Sequence, residues 1–155
     1  MTPHVVHGLR VDSTGQSIGI VGSRSFAFEL CPARALETVG QALVEADWPV
    51  SKIVSGGAEG ADAAARAFAD YFEIPYTECE PNFDQFDEAW QAFHARNSEI
   101  VRASDRLLAL WDGDSTGTLD TIAKARGHLG DPAVHIHGIG DGTIPPLSDL
   151  PVRDL

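Results

Sequence analysis

The sequence predicts an α/β fold, a Rossmann-like three-layer sandwich with a mainly parallel sheet of about five strands and helices on both faces. Two observations support this prediction. Short apolar runs of strand length alternate along the chain with segments of helical periodicity. Several of these runs end in glycine or small polar residues that lead directly into a helix. Parallel strands joined by right-handed helical crossovers produce this order of elements.

The first half of the chain contains an extra N-terminal strand and then three core strands with two helices between them. SIGIVG is a compact apolar run of the kind that is buried on both faces, and the spacing of Leu36, Val39 and Leu43 is helical. The predicted elements are a strand at 4–11, a turn at 12–16, a strand at 17–22, a helix at 32–47, a strand at 52–55, a helix through about 72 and a strand at 74–80.

The second half repeats the alternation. A loop leads into a helix whose apolar line runs through Phe86, Trp90, Phe93 and Ile100, and Asn97 falls on the same line. The remaining elements are a strand at 105–111, a polar turn at 112–117, a helix at about 118–128, a strand at 133–139 and an irregular, loosely packed tail at 140–155. We expect one domain over 1–155, with a core over about 17–139.

Composition narrows the function classes. The 155 residues include 23 acidic and 11 basic side chains, a net charge of −12, so a long nucleic acid is an unexpected partner because phosphate backbones are bound by basic surfaces. Cys31 and Cys79 are isolated and read as reduced thiols. No apolar run is long enough to span a bilayer, and the N-terminus lacks the pattern of a signal peptide. We expect a cytoplasmic protein with no membrane, cofactor or metal requirement.

Three turns that follow strands are the candidates for chemistry. They are GSRS (22–25), SGGAEGAD (55–62) and DGDSTGT (112–118). The second and third open helices, where unpaired N–H groups and the helix dipole favour an anion. Arg24 is the only cation in these turns. The local alternative is that each glycine turn is only a tight turn and that Ser115 or Thr116 is only a helix cap.

Arg96 and Asn97 add a fourth candidate element. Asn97 lies on the apolar stripe of its helix, which places the pair near the rim between core and solvent. Either the asparagine satisfies backbone groups while the arginine extends to solvent, or Arg96 is a second ligand of a phosphate, together with Arg24.

Three further residues and one histidine pair could bind a ligand or simply support the structure. His135 and His137 share one side of the last strand, a spacing that can chelate a metal, but no third ligand is evident, so a surface-facing pair is predicted. Trp90 and Trp111 could both stack on a base, but Trp90 is predicted to belong to the core. For Trp111, core packing and stacking on a base remain open. Asp62 is predicted to fix its helix and turn.

Taken together, GSRS, SGGAEGAD, RNSEI and SDRLLALWDGDSTGTLDTIAKA resemble the SLOG superfamily, which joins the DprA/Smf proteins with the LOG phosphoribohydrolases. The similarity covers about residues 17–127 and is greatest to the stand-alone YspA/YpsA-related branch. It implies a Rossmann-like fold, often a homodimer, that binds nucleotides or nucleotide-derived ligands, and some relatives are thought to sense such molecules.

The resemblance also implies a set of ligand-binding residues, and with them that the turn at 55–62 cradles an anion. Matched motif by motif, the residues are Gly22, Ser23, Arg24, Ser55, Gly56, Gly57, Gly60, Arg96, Asn97, Ser115, Gly117 and Thr118. Asp62 also matches the second motif.

One departure from the family pattern bears on activity. In LOG enzymes the last motif carries paired acids and the second acid assists cleavage of the glycosidic bond; here Asp120 stands at the first acidic position and Thr121 at the second. Threonine supplies no titratable group. We therefore expect a binding or sensing protein for a small phosphorylated nucleotide or an ADP-ribose-like ligand. The alternatives are a nucleoside 5′-monophosphate phosphoribohydrolase with Asp120 as acid, and DprA-like binding of single-stranded DNA.

Overall fold

The structure, a computed structural model, describes residues 7–26 and 31–155. Within these ranges one sheet of five parallel strands has the order β3-β2-β1-β4-β5. The elements are β1 (Val11–Gly22), α1 (Pro32–Ala46), β2 (Val50–Ser55), α2 (Ala61–Tyr71), β3 (Tyr76–Glu78), α3 (Ala89–Arg102), β4 (Arg106–Trp111), α4 (Thr116–Leu129) and β5 (Val134–Gly138). The predicted fold class is confirmed.

Two hydrophobic cores lie on opposite faces of this sheet. Alternate residues of a strand point to opposite faces, so Ile18 and Ile20 of β1 pack under α1 and α2. Val21 belongs to the other core, which is covered by α3 and α4. The central strands are buried on both faces, which is why their sequences read as continuous apolar runs rather than as an alternation.

Helix ends follow from local sequence. Pro32 occupies the first turn of α1, where its missing N–H is no loss, and Asp47 ends the helix in the left-handed conformation at φ 60°. At the start of α3, the backbone N–H of Glu88 donates to the side-chain oxygen of Gln91 at 3.0 Å. This contact sets the start of α3, and thereby the direction in which its early residues point.

The N-terminal region differs from the prediction. Of the strand expected at 4–11, residues 4–6 lie outside the described residues, and residues 7–10 form no strand. β1 itself begins at Val11. Val11 and Gln16 both stand opposite Val50, so residues 12–15 bulge out of the ladder where the turn was predicted. At one edge of the sheet, the strand predicted at 74–80 is only three residues long.

The C-terminal tail is irregular, as expected, but it is not loosely packed. The Arg126 guanidinium donates to the carbonyl of Leu150, and the backbone N–H of Arg153 donates to the carbonyl of Ala123 at 3.0 Å. Leu147 and Leu150 pack against the core beneath α4. Polar composition suggested a loose segment, but a few apolar residues and two hydrogen-bonding arginines hold the tail along this helix.

Candidate functional site

The turns after β1 and β4 meet at the centre of one edge of the sheet. β1 and β4 are neighbours, but the chain continues from β1 to α1 and from β4 to α4, on opposite faces. In open α/β sheets, ligands bind in the crevice that such a reversal opens at the carboxyl ends of the strands. A cavity of about 470 Å³ lies at this place, bounded by both turns and by α3.

Asp112 shapes the turn that leads from β4 into α4. Its carboxylate accepts hydrogen bonds from the backbone N–H groups of Asp114, at 2.8 Å, and Ser115, at 2.9 Å. These backbone hydrogen bonds lower the pKa of Asp112 to about 2. The carboxylate therefore remains ionised at neutral pH and holds the turn that precedes the helix.

The first turn of α4 lines the cavity with backbone N–H groups. Among the described residues, no hydrogen bond is donated by the N–H groups of Thr116, Gly117 and Thr118, as is usual for the first residues of a helix. A Cβ added to Gly117 would meet nothing within 4 Å, so open space adjoins these donors. The hydroxyl oxygens of Ser115 and Thr118 lie 3.1 Å apart beside them. Bare N–H groups at the positive end of a helix dipole favour an anion.

The turn after β1 is joined to this turn and brings a cation to the cavity. The hydroxyl of Ser23 accepts from the Asp112 backbone N–H at 3.1 Å, and the hydroxyl of Ser25 donates to the Asp112 carboxylate at 3.0 Å. Arg24, between the two serines, is exposed and lines the cavity. Its guanidinium carbon lies 5.9 Å from the centroid of the Phe93 ring. No ion pair of Arg24 occurs among the described residues.

Arg96 and Asn97 form part of the α3 wall, and both are buried. Arg96 donates through Nη1 to the carbonyl of Gly56 at 2.6 Å and through Nε to Asn97 Oδ1 at 3.2 Å. Burial lowers the pKa of Arg96, against the opposing effect of the Asp62 carboxylate. Since a guanidinium has five N–H donors, these two hydrogen bonds fix its plane and leave further donors for the cavity.

The turn at 55–62 supports the site more than it lines it. The buried Ser55 hydroxyl donates to the carbonyl of Ile20 at 2.7 Å, and Gly56 is the acceptor for Arg96. A Cβ at Gly57 would collide with the Glu78 carboxylate. Gly60, at φ +72°, packs directly against the backbone of Ser23 and Arg24, where a side chain has no room. The glycines of this turn therefore let two loops approach each other.

Asp62 is the buried carboxyl group that lines the cavity from α2. Burial raises its pKa, although the backbone N–H of Ala58, which donates to it at 3.1 Å, and the charge of Arg96 oppose this shift. Asp62 thus braces the turn at 55–62, in agreement with the prediction, and it also reaches the cavity wall.

Asp120 lies behind the cavity and is surrounded by donors. Its side chain accepts from Lys124 at 2.9 Å, from Arg153 at 3.0 Å and from Asn97 at 3.2 Å. Burial alone would raise the pKa of Asp120, but the hydrogen bonds from Lys124 and Asn97, with the charges of Lys124 and His94, outweigh burial and lower it. The carboxylate is therefore ionised at neutral pH and committed to partners in the protein.

The α3 wall also carries aromatic side chains. Trp90 was expected in the core, but it is 57% exposed and lines the cavity; it is the second residue of α3, which begins at Ala89. Phe93 and His94 line the same wall. Trp111, for which two roles were open, is buried, and its indole N–H donates to the carbonyl of Ser115 at 3.0 Å. It packs in the core and supports the turn before α4.

The structure brings together most of the residues singled out from the sequence. Those that line the cavity are Gly22, Ser23, Arg24, Arg96, Asn97, Ser115, Gly117 and Thr118. Those that do not are Ser55, Gly56, Gly57, Gly60 and Asp120. Several residues that line the cavity were not identified from the sequence, among them Ala58, Trp90, Phe93, His94, Thr116 and Thr121. For Trp90 the sequence offered one indication: it lies close to the start of its helix, where an apolar side chain need not be buried.

The histidine pair on β5 has a different environment. Both rings are half-buried and contact one carboxylate oxygen of Glu45, His135 at 3.4 Å and His137 at 3.1 Å. Over residues 7–26 and 31–155, no group of three or more His, Cys, Asp or Glu side chains is arranged to hold a metal ion. In the same part of the chain, no helix has the length and apolar character required to cross a bilayer.

Comparison with known proteins gives no match to a family model, to a curated protein or to a solved structure. The resemblance to the SLOG superfamily therefore stays a prediction from four sequence motifs.

Proposed function

We propose that this protein binds a small phosphorylated nucleotide or an ADP-ribose-like ligand in the cavity at the carboxyl edge of the sheet and acts as a nucleotide-binding or sensing protein. The observation that carries the proposal is the first turn of α4. There, three backbone N–H groups have no partner among the described residues, and a Cβ on Gly117 would meet nothing within 4 Å, so open space adjoins this turn. A phosphate group placed in this space receives charge-assisted hydrogen bonds from the helix end.

Two further observations support a phosphate rather than a neutral group. Arg24 is an exposed cation on the cavity rim without an ion pair among the described residues. The hydroxyls of Ser115 and Thr118 lie beside the N–H groups, and because one of them donates to the other, the second is free to donate to an anion. These local donors act in a strongly acidic protein, whose overall charge disfavours a long polyanion but leaves a small anion free to bind.

The cavity volume of about 470 Å³ falls within the range of small-molecule sites, roughly 300–1,000 Å³. It accommodates a mononucleotide. The proposal assigns phosphate to the α4 end of the cavity and leaves the α3 wall, with its aromatic side chains, for the remainder of the ligand.

The direct test is a thermal-shift screen of the full chain with inorganic phosphate, nucleoside mono-, di- and triphosphates, ADP-ribose and a short oligothymidine. A ligand at 100 times its Kd adds about 2.7 kcal/mol to the free energy of unfolding, which moves Tm by roughly 5–10 °C for a chain of this size. We expect such a shift with at least one nucleotide. A shift with oligothymidine alone contradicts the proposal and favours DNA binding.

Hydrolysis of a nucleotide is the second candidate, and one observation favours it. Asp62 is a carboxyl group on the cavity wall whose pKa is raised by burial, as general acids require. Asp120, the acid that the sequence suggested, has a lowered pKa and does not line the cavity. A phosphoribohydrolase reaction here would therefore rely on Asp62.

The two functions separate in an assay for free base released from AMP. Binding without turnover by the wild-type chain supports the sensing function. Turnover that is lost in Asp62→Asn but retained in Asp120→Asn supports hydrolysis, with the acid on α2. Turnover lost only in Asp120→Asn would show that the ion pairs around Asp120 open in the presence of substrate.

A further inference from the structure

We propose that the exposed face of Trp90 is the platform on which the base of the nucleotide stacks, so that the protein selects nucleotides over sugar phosphates that lack a base. This inference rests on the proposed function and deepens it, because it assigns the base to the α3 end of the cavity. The phosphate end is provided by α4.

Exposure of Trp90 is the first observation. Its side chain is 57% exposed, although tryptophan buries more apolar surface than any other side chain when it is packed. Of the exposed large hydrophobic residues among the described ones, Trp90 lines the cavity, whereas Val11, Tyr71, Phe83 and Val152 do not. A large apolar ring thus stands uncovered at the site where the proposed ligand binds.

The second observation is that the ring has neighbours that fix its orientation. The ring of His94 meets Trp90 edge to face, with the centroids 5.5 Å apart and the planes at 78°. Nδ1 of His94 lies 3.7 Å from the Asp120 carboxylate, and the carbonyl of His94 accepts from Lys124 at 2.7 Å. The contact with His94 thus restricts the orientation of an indole ring that is still largely exposed, as a pre-organised stacking surface requires.

The chemistry of the wall selects a flat ring. Next to Trp90, the Phe93 ring lies 5.7 Å from the guanidinium carbon of Arg96 and 5.9 Å from that of Arg24. Both arginines that line the cavity therefore lie beside this aromatic wall. A nucleoside phosphate has its base at one end and its charged phosphate at the other, as the aromatic wall and the start of α4 would require. Stacking tolerates any base, because every base has a π face, so we expect selection for a base without strong selection among bases.

The test compares AMP, CMP and ribose 5-phosphate by isothermal titration calorimetry with wild type, Trp90→Ala and Trp90→Phe. We expect wild type to bind AMP and CMP at least about tenfold more tightly than ribose 5-phosphate, a difference of about 1.4 kcal/mol. Trp90→Ala should reduce this preference to within about threefold while its affinity for ribose 5-phosphate stays within twofold of wild type. Trp90→Phe, which keeps a ring, should retain most of the preference.

Tyr71→Ala is the matched control, because Tyr71 is an exposed aromatic residue outside the cavity, and its affinities should equal those of wild type. Fluorescence gives an independent readout. AMP should quench wild-type emission more than it quenches Trp90→Phe, in which Trp48 and Trp111 remain.

The outcomes distinguish the two proposals. If AMP binds equally well to wild type and Trp90→Ala, the stacking platform is wrong and the phosphate site stands. If wild type binds AMP no more tightly than it binds ribose 5-phosphate, the stacking platform is likewise wrong. If neither nucleotides nor ribose 5-phosphate bind at millimolar concentration, the proposed function itself fails. If Trp90→Ala changes the elution volume in size-exclusion chromatography, Trp90 packs against a second copy of the chain instead of a base, and the inference is overturned.

Discussion

Replacing Gly117 by alanine separates folding from ligand binding at the start of α4. The added methyl group would meet no described atom within 4 Å, and Gly117 is an exposed residue in the helix. In such a position alanine is more stabilising than glycine by roughly 0.5–1 kcal/mol. For a domain of this length, we therefore expect Tm to rise by about 1–4 °C.

The same methyl group should weaken phosphate binding. It would occupy the space beside the N–H groups of residues 116–118, where the proposal places the anion. Loss of one charge-assisted hydrogen bond costs about 1.5–3 kcal/mol, which corresponds to roughly 10- to 150-fold in Kd. Gly117→Ala should therefore be a more stable protein that binds inorganic phosphate and AMP at least tenfold more weakly.

Gly127→Ala is the matched control in the same helix. Its methyl group would collide with the backbone carbonyl of Arg153 in the tail, and such overpacking costs about 1–3 kcal/mol. We expect Gly127→Ala to lower Tm while the affinity for AMP stays near that of wild type. Thermal unfolding followed by circular dichroism and titration calorimetry give the two quantities. Undiminished AMP affinity in Gly117→Ala would refute the placement of the phosphate, and a lower Tm in this variant would refute the open space.

Three further predictions concern charged residues. Arg24→Ala should weaken AMP binding by roughly tenfold, about 1.4 kcal/mol, whereas Arg102→Ala at the far end of α3 should not, as calorimetry can check. Asp120→Asn should lower the free energy of unfolding at pH 7 by about 3 kcal/mol, because Lys124 loses the partner of a buried ion pair. Since the folded pKa of Asp120 is lowered, its contribution is present above the unfolded pKa of about 3.9 and is lost as the pH falls through the folded value. The urea midpoints of Asp120→Asn and wild type should therefore converge as the pH falls through the lowered folded pKa of Asp120. Arg153→Ala should cost about 1 kcal/mol with partial rescue in Arg153→Lys, and an unchanged midpoint in urea would contradict the tail contact.

The fold and the cavity's position could be predicted because both depend on local pattern. The strand at 17–22 reads as an apolar run because it is buried on both faces. The helical spacing of Leu36, Val39 and Leu43 arises because α1 buries one face only. Once the strands are parallel, their carboxyl ends share an edge, and the adjacency of β1 and β4 brings the turns containing Arg24 and Ser115 together there.

The roles of individual residues could not be predicted to the same degree, because they depend on contacts between distant segments. No local pattern indicates that Gly60 packs against the backbone of Ser23, 37 positions away, or that Arg153 of the tail reaches Asp120. Trp90 was assigned to the core because its spacing on the stripe is correct, but periodicity does not tell where a helix passes the edge of the sheet.

The three similar turns differ in where their backbone N–H groups are used, and this difference explains why only one of them is proposed to hold phosphate. In the turn at 55–62, Ala58 donates to Asp62, and Ala61, the first residue of α2, donates to the carbonyl of Ser23. The positive end of α2 is thus partly occupied by the chain itself. At α4, Asp112 satisfies only the N–H groups that precede the helix, so the helical ones remain for a ligand. The backbone contact between Ala61 and Ser23 occupies the start of α2, whereas no such contact occupies the start of α4, and this difference decides where an external anion can bind.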